Sequence, residues 1–265
     1  MQPARARPGD AFLVLVRGAA SPPSARAAGR ELAVWPVPGG FAAVGGLPVE
    51  TAAGPLEVEV FLPIDGGEPV RLAPRLEVEA PGFPHRALTV DQRFVRPPPE
   101  EVQRRIEADR AAFARAFDQP AAPPVFDAPF AWPRRDRVTA GYGEQRTMNG
   151  VKPSQHYGLD LAGAVGAPVA SAQDGRVVLA RDCWASGQSV VVWHGAGLFT
   201  TYFHLSRTLV REGDVVRRGQ RLGLVGATGR ASGPHLHWGV RVGDLYVDPR
   251  SVLRLPLPEG RAATR

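Results

Sequence analysis

Short apolar runs broken by turn residues recur along most of this chain, and that rhythm limits its fold more than any other feature. Between residues 10 and 96 the runs AFLVLV, ELAVWPV, LEVEVFLP and RLEVEA read as strands. In the third, Leu56, Val58, Val60 and Leu62 share one face while Glu57 and Glu59 stay in water, because successive side chains of a strand alternate. Asp65, Gly66 and Gly67 supply a turn after it. The pattern predicts a small β-sandwich over residues 1–96 with no catalytic constellation in it. His85, beside Pro84, is expected in a surface turn.

Pro97 to Pro99 then open an acidic first turn at Glu100 and Glu101, and Val102, Ile106, Phe113 and Phe117 follow at helical spacing. One amphipathic helix ending near Pro120 fits, and QPAAPPVFDAPFAWP is too rich in proline to extend it. Residues 97–124 are therefore read as a helix and a proline-rich linker carrying aromatic anchors. From Arg137 the chain returns to strands and glycine turns in RVVLA, SVVVWH, LFTTYFHL, QRLGLVG and PHLHWGVRV. The expected fold class is mainly β, with an N-terminal β-sandwich, one connecting helix and an antiparallel sheet over residues 125–255. Residues 256–265 form a tail. The chain's 265 residues suit two units, each with its own core.

Charge narrows the partners without choosing one. The 32 basic residues exceed the 26 acidic ones, and Lys152 is the only lysine, so the basicity is arginine basicity. Such a balance favours anionic partners. A nucleic-acid reader clusters its arginines in one stripe, whereas these are interspersed with acids, so no nucleic-acid partner is expected. No apolar run approaches the roughly 18 residues that span a membrane. The apolar stretch Ala11 to Val16 is too short for a signal-peptide core. A single cysteine, Cys183, excludes an intramolecular disulfide and is expected to act as a small buried hydrophobe.

Five of the six histidines lie between residues 156 and 237. They occur as His156 with Asp160 in HYGLD, His194 in VVWHG, His204 in TYFHLS, and His235 with His237 in SGPHLHW. A catalytic zinc takes about three N or O ligands from protein and keeps one position open. Residues two apart on a strand point the same way about 7 Å apart, so His235 and His237 can face one site. Spacing alone does not say which of them binds metal. His156 and Asp160 would share a face of a helix, but Gly158 argues for a bent strand or loop. Tyr202, two before His204 on an alternating strand, either lines the site or packs. His194 reads as a structural residue of a turn. Gly163 to Pro168 and Gly226 to Gly233 allow close backbone approach to a substrate or simply form tight turns.

Taken together, DRVTAGYG, HYGLDLAGAVGAPVASAQDGRVVLA, TYFHLS, GDVVRRGQRLGLVGATGRASGPHLHWGVR and YVDP resemble the lysostaphin- and LytM-type zinc metallopeptidases, the duplicated hybrid motif family. Residues before them, including GRELAVWP and VGGLPVE, are more loosely similar to the β-domains that precede such peptidases. The resemblance implies an endopeptidase that hydrolyses the peptide cross-links of bacterial peptidoglycan. It assigns zinc to His156, Asp160 and His237, and catalysis by two histidines to His204 and His235, working on a zinc-activated water. It further implies peptidoglycan stem peptides as partners, and a monomer acting in the periplasm or at the cell exterior. The family also resembles regulators and wall-binding modules that have lost ligands, but all five positions are filled here. The hairpin GDVVRRGQRLGLVGATG is similar to biotinyl and lipoyl carriers, which need a lysine that this region lacks. Residues 10–96 are expected to be dispensable for the chemistry. D-alanine to diamino-acid cross-links are expected over polyglycine, with Arg241 a candidate for the carboxylate of such a stem peptide.

Overall fold

The computed structural model describes residues 1–258, apart from the side chain of Lys152. The expected tail therefore lies, from residue 259 on, outside the described residues. The chain is mainly β, and its layers follow from how much apolar surface each run must hide.

AFLVLV has no polar alternation, and a strand apolar on both faces is stable only when both are covered. The strand Ala11–Arg17 is accordingly the edge of a three-stranded sheet with Gly40–Gly46 and Val34–Val37. One face of this sheet presents Phe12, Val14 and Ala43 to Val58, Val60, Leu76 and Val78 of a six-stranded sheet, closing the N-terminal sandwich. Its other face presents Leu13, Trp35 and Val44 to Leu159, Leu198, Trp238 and Val240 of the C-terminal unit. The middle sheet thus belongs to two cores. Each fully buried leucine of this kind contributes about 1.5–3 kcal/mol.

The ten-stranded C-terminal sheet is antiparallel throughout. Its path runs Val138–Ala140, Leu159–Ala162, His235–Val242, Leu198–Thr208, Gly187–Trp193, Gly175–Cys183 and Val215–Val216. Alternation is strict along Leu159–Ala162 and His235–Val242. Leu236, Trp238 and Val240 are buried in the core, and so are Leu159 and Leu161, which leaves His235, His237 and Asp160 on the opposite face.

The helix Glu100–Phe117 lies across that opposite face. Ala112 and Ala116 pack with Val178, Leu179, Val191 and Phe199, and the rings of Phe113 and Phe117 meet Phe203 and Phe199 edge-on at 5.7 and 5.2 Å. Asp109, buried in the helix, accepts hydrogen bonds from Arg181 Nε at 2.8 Å and Trp184 N at 2.7 Å, which fixes the helix against the sheet. The proline-rich stretch that follows is anchored rather than loose. Phe126 and Phe130 are buried in the main core, and Val125 N donates to His194 O.

Two sequence expectations need correction. His85 opens the strand His85–Leu88, where Nε2 lies 2.8 Å from Thr147 Oγ1; it is not in a turn. That strand runs parallel to Gln145–Met148, so residues just before position 96 pair with the C-terminal unit instead of closing the sandwich. The short strand HRAL has no two-residue alternation to announce this pairing.

Candidate active site

Three elements bring together His156, Asp160 and His237. Asp160 and His237 are directly opposed in the ladder between Leu159–Ala162 and His235–Val242. His156 follows the strand Lys152–Gln155, and its backbone is tied back by hydrogen bonds between its own N and Glu144 O and between Gly143 N and its O. His156 Nε2 lies 2.9 Å from Asp160 Oδ1 and 2.9 Å from His237 Nδ1, and His237 Nδ1 lies 3.0 Å from the same carboxylate oxygen.

The intervening glycine allows this approach. A Cβ on Gly158 would stand 2.7 Å from His237 Cε1 and Nε2 and 2.7 Å from Trp238 O. The backbone oxygen cannot move cheaply, so glycine is required here by close approach.

One proton of this triangle can be assigned. His156 Nδ1 lies 2.7 Å from Gly141 O, and a carbonyl only accepts, so Nδ1 carries the hydrogen. Nε2 of the neutral ring is then a lone pair aimed at a carboxylate oxygen. Electron pairs converging in this way call for a cation between them. Two nitrogens and one oxygen, close enough for one small ion to touch all three, suit zinc better than the all-oxygen shells of calcium or magnesium.

Asp160 is poised for that role. Burial alone would raise its pKa, but the close approach of the His156 and His237 rings to Oδ1 holds it well below the usual carboxylate range. Its second oxygen, Oδ2, accepts from Arg146 Nη2 at 2.8 Å, and Arg146 Nε donates to the buried Glu144 at 2.7 Å. Arg146 therefore orients the carboxylate and leaves Oδ1 for the triangle.

His204 reaches the site through a backbone irregularity. Along Leu198–Thr208 the pairs Gln188↔Leu205 and Val190↔Tyr202 set three steps on this strand against two on its neighbour, a β-bulge. His204 sits in that bulge at φ +63°, a left-handed conformation that few side-chain-bearing residues adopt. Alternation is broken there, and both Phe203 and His204 face the groove. Tyr202 faces the other way, fully buried, its hydroxyl accepting from Ala172 N at 2.7 Å. It packs and does not share a face with His204.

His204 and His235 have the same tautomer. His204 Nδ1 donates to Thr228 O and His235 Nδ1 to Gly233 O, both at 2.8 Å. Their Nε2 lone pairs are thus left for the groove. The rings are 4.9 Å apart, and His235 Nε2 is 3.6 Å from Asp160 Oδ1. Burial, followed by repulsion from His235 and His237, holds the His204 pKa down to about 3. It is a neutral base at neutral pH. His194, in contrast, is buried away from the site with Nδ1 donating to Asp174 O at 2.6 Å, and burial pushes its pKa down to about 4.

All five residues singled out by sequence line one groove of about 610 Å³. Several of its other residues carry no motif signal. Phe203 stacks on His237 at 5.4 Å, Arg146 and Arg230 enter from separate loops and strands, and Phe113, Phe117, Arg86 and Leu88 build a wall from outside the C-terminal sheet. The segment before residue 96 thus contributes to the groove, against the expectation that it is dispensable. Arg241 does not line it. Its guanidinium lies 4.0 Å over the Phe117 ring and Nε donates to Gly243 O, so it is committed to packing.

An antiparallel sheet carrying a compact two-histidine, one-aspartate cluster beside two further histidines defines the class of a metallopeptidase fold. Residues 154–249 match peptidase family M23. A crystal structure from Pseudomonas aeruginosa assigned to peptidase M23 superposes with a TM-score of 0.70 at 30% identity, covering 93% of this chain and 94% of that one. The chain belongs to peptidase family M23. Among curated relatives, the peptidoglycan DD-endopeptidase ShyA of Vibrio cholerae is 49% identical over 103 residues, 38% of this chain and 24% of that protein. ShyB of the same organism, also a peptidoglycan DD-endopeptidase, is 41% identical over 115 residues, 42% of this chain and 26% of that protein. The chain's matched region spans about a quarter of the length of these relatives.

Proposed function

We propose that this chain is a zinc-dependent endopeptidase that hydrolyses peptide cross-links of peptidoglycan, acting in the periplasm or at the cell exterior. The carrying observation is the convergence of His156 Nε2, Asp160 Oδ1 and His237 Nδ1 on one point, beside two histidines anchored through Nδ1 to backbone carbonyls. Relatives named for DD-endopeptidase activity support the substrate class.

His156, Asp160 and His237 would hold the metal. A bound zinc supplies activation of water and polarisation of the scissile carbonyl. The rest of the work belongs to the chain. His204 and His235, each fixed through Nδ1 by a backbone carbonyl, present Nε2 lone pairs that take a proton from the attacking water and return one to the leaving amine. The aromatic wall of Phe113, Phe117 and Phe203 excludes water from one side and favours an extended peptide.

The test is to load the full chain with zinc, determine metal per chain, and follow a D-alanyl cross-linked dimer and pentaglycine by mass spectrometry. One zinc per chain and preferential cutting of the dimer are expected. Absence of both metal and cleavage would overturn the reading, and faster cutting of pentaglycine would overturn its substrate class.

The same geometry makes Gly158 a sensitive position. Gly158→Ala should weaken zinc binding by roughly 10- to 100-fold, the range typical of displaced metal-site supports, through displacement of the His237 ring. A competition titration with a chelating dye reads it, and wild-type affinity in a folded variant would refute the steric argument.

A further inference from the structure

Arg230 is an unspent cation at the edge of the groove. Among the other part-buried arginines, Arg30 pairs with Asp244, Arg134 with Asp136 and Arg146 with Glu144 and Asp160, Arg241 lies on the Phe117 ring, and Arg250 lies outside the groove. Arg230 is equally part-buried and lines the groove, yet its guanidinium has no hydrogen bond, ion pair or ring partner among the described residues. Burial, followed by the nearby charge of Arg146, destabilises its cationic form. Desolvating a charge without a partner is unfavourable, so a missing partner of opposite sign is the simplest account of its position.

The backbone holds this cation in place. Arg230 N donates to Ala185 O at 2.7 Å. Gly229, at φ +70°, is packed so closely on the neighbouring loop that a Cβ there would stand 2.3 Å from Gly187 N and 2.5 Å from Ala185 O. Two residues upstream, Thr228 O accepts the Nδ1 proton of His204. One short loop therefore both orients a proposed catalytic base and carries the unpaired guanidinium.

Charge in the groove points the same way. Its charged lining residues are Arg86, Arg146, Arg230 and Asp160, and Asp160 is already committed to the triangle. Arg86 shares the buried Glu144 with Arg146. An anionic group entering the groove finds Arg230 open, and a guanidinium meets a carboxylate with two parallel hydrogen bonds.

We propose that Arg230 is a specificity-determining residue that binds a free carboxylate of the substrate peptide close to the scissile bond. This rests on the endopeptidase reading above and deepens it: the preferred substrates are peptides with a carboxylate beside the cut, such as cross-links to a diamino acid, and uncharged bridges are poor ones. It also replaces Arg241, which packing has taken out of contention, as the carboxylate partner.

The test uses the zinc-loaded full chain and two purified D-alanyl cross-linked dimers, one with the free carboxyl group on its diamino acid and one with that group amidated. The wild-type chain should favour the acid form by roughly 10- to 100-fold in kcat/KM, the range of a charge-assisted hydrogen bond. Arg230→Gln should bring the ratio to within a few-fold of one at unchanged zinc content, and Arg230→Lys should restore part of it. Equal rates on both dimers in the wild-type chain, an unchanged ratio in Arg230→Gln, or loss of zinc from that variant would each overturn the proposal and leave the endopeptidase reading standing. Failure of the wild-type chain to cut either dimer would defeat that reading and the proposal with it.

Discussion

Asp160→Ala is expected to lose its metal and, with it, all hydrolysis. Asp160 Oδ1 lies 2.9 Å from His156 Nε2 and 3.0 Å from His237 Nδ1, so its removal leaves two neutral nitrogens and no anionic ligand. The loss should exceed the roughly 10- to 100-fold that displaced supporting groups cost. It has a second component, because Arg146 Nη2 loses its acceptor at 2.8 Å and its charge is left to Glu144 alone. Asp160→Asn keeps an acceptor for Arg146 but not the negative charge, and should also lose metal. Metal analysis after dialysis at fixed free zinc reads both variants. Full zinc in Asp160→Ala would remove the residue from the ligand set.

His204 and His235 variants are expected to behave in the opposite way, retaining zinc while kcat falls by roughly 10²- to 10⁴-fold, the range of general acid–base catalysis. Both rings donate through Nδ1 to backbone carbonyls, and neither belongs to the close triangle. The harder case is His235, whose Nε2 is 3.6 Å from Asp160 Oδ1. If His235→Ala loses metal as Asp160→Ala does, His235 becomes a ligand and the proton-transfer role falls to His204 alone. For His204 the backbone has to be controlled, since φ +63° is strained for alanine. Asparagine tolerates that region better, so His204→Asn at full zinc content is the cleaner measurement.

Local alternation was legible in the sequence. HLHWGVRV places His235 and His237 on one face and Leu236 and Trp238 on the other, and the fold keeps this order. The unbroken apolar run AFLVLV marked a strand, and Val102, Ile106, Phe113 and Phe117 marked the one long helix. His156, Asp160, His204, His235 and His237 were all singled out by the motifs, and all line one groove.

Alternation misled at Tyr202, because a bulge one residue long exchanges the two faces, and its left-handed φ leaves no trace in the residue type of a histidine. Arg86, Arg146 and Arg230 were hidden for a related reason: the sequence offers many arginines, and only their partners distinguish a committed guanidinium from an open one. In strands without a bulge, amino-acid order alone sets which side chains share a face, since a strand's two-residue period depends only on neighbours along the chain. Tertiary structure decided that Asp160 opposes His237, that His204 turns into the groove, and that the helix and the strand His85–Leu88 wall it. These depend on register and packing between segments far apart in sequence, where the free energy belongs to the contact and not to either segment alone.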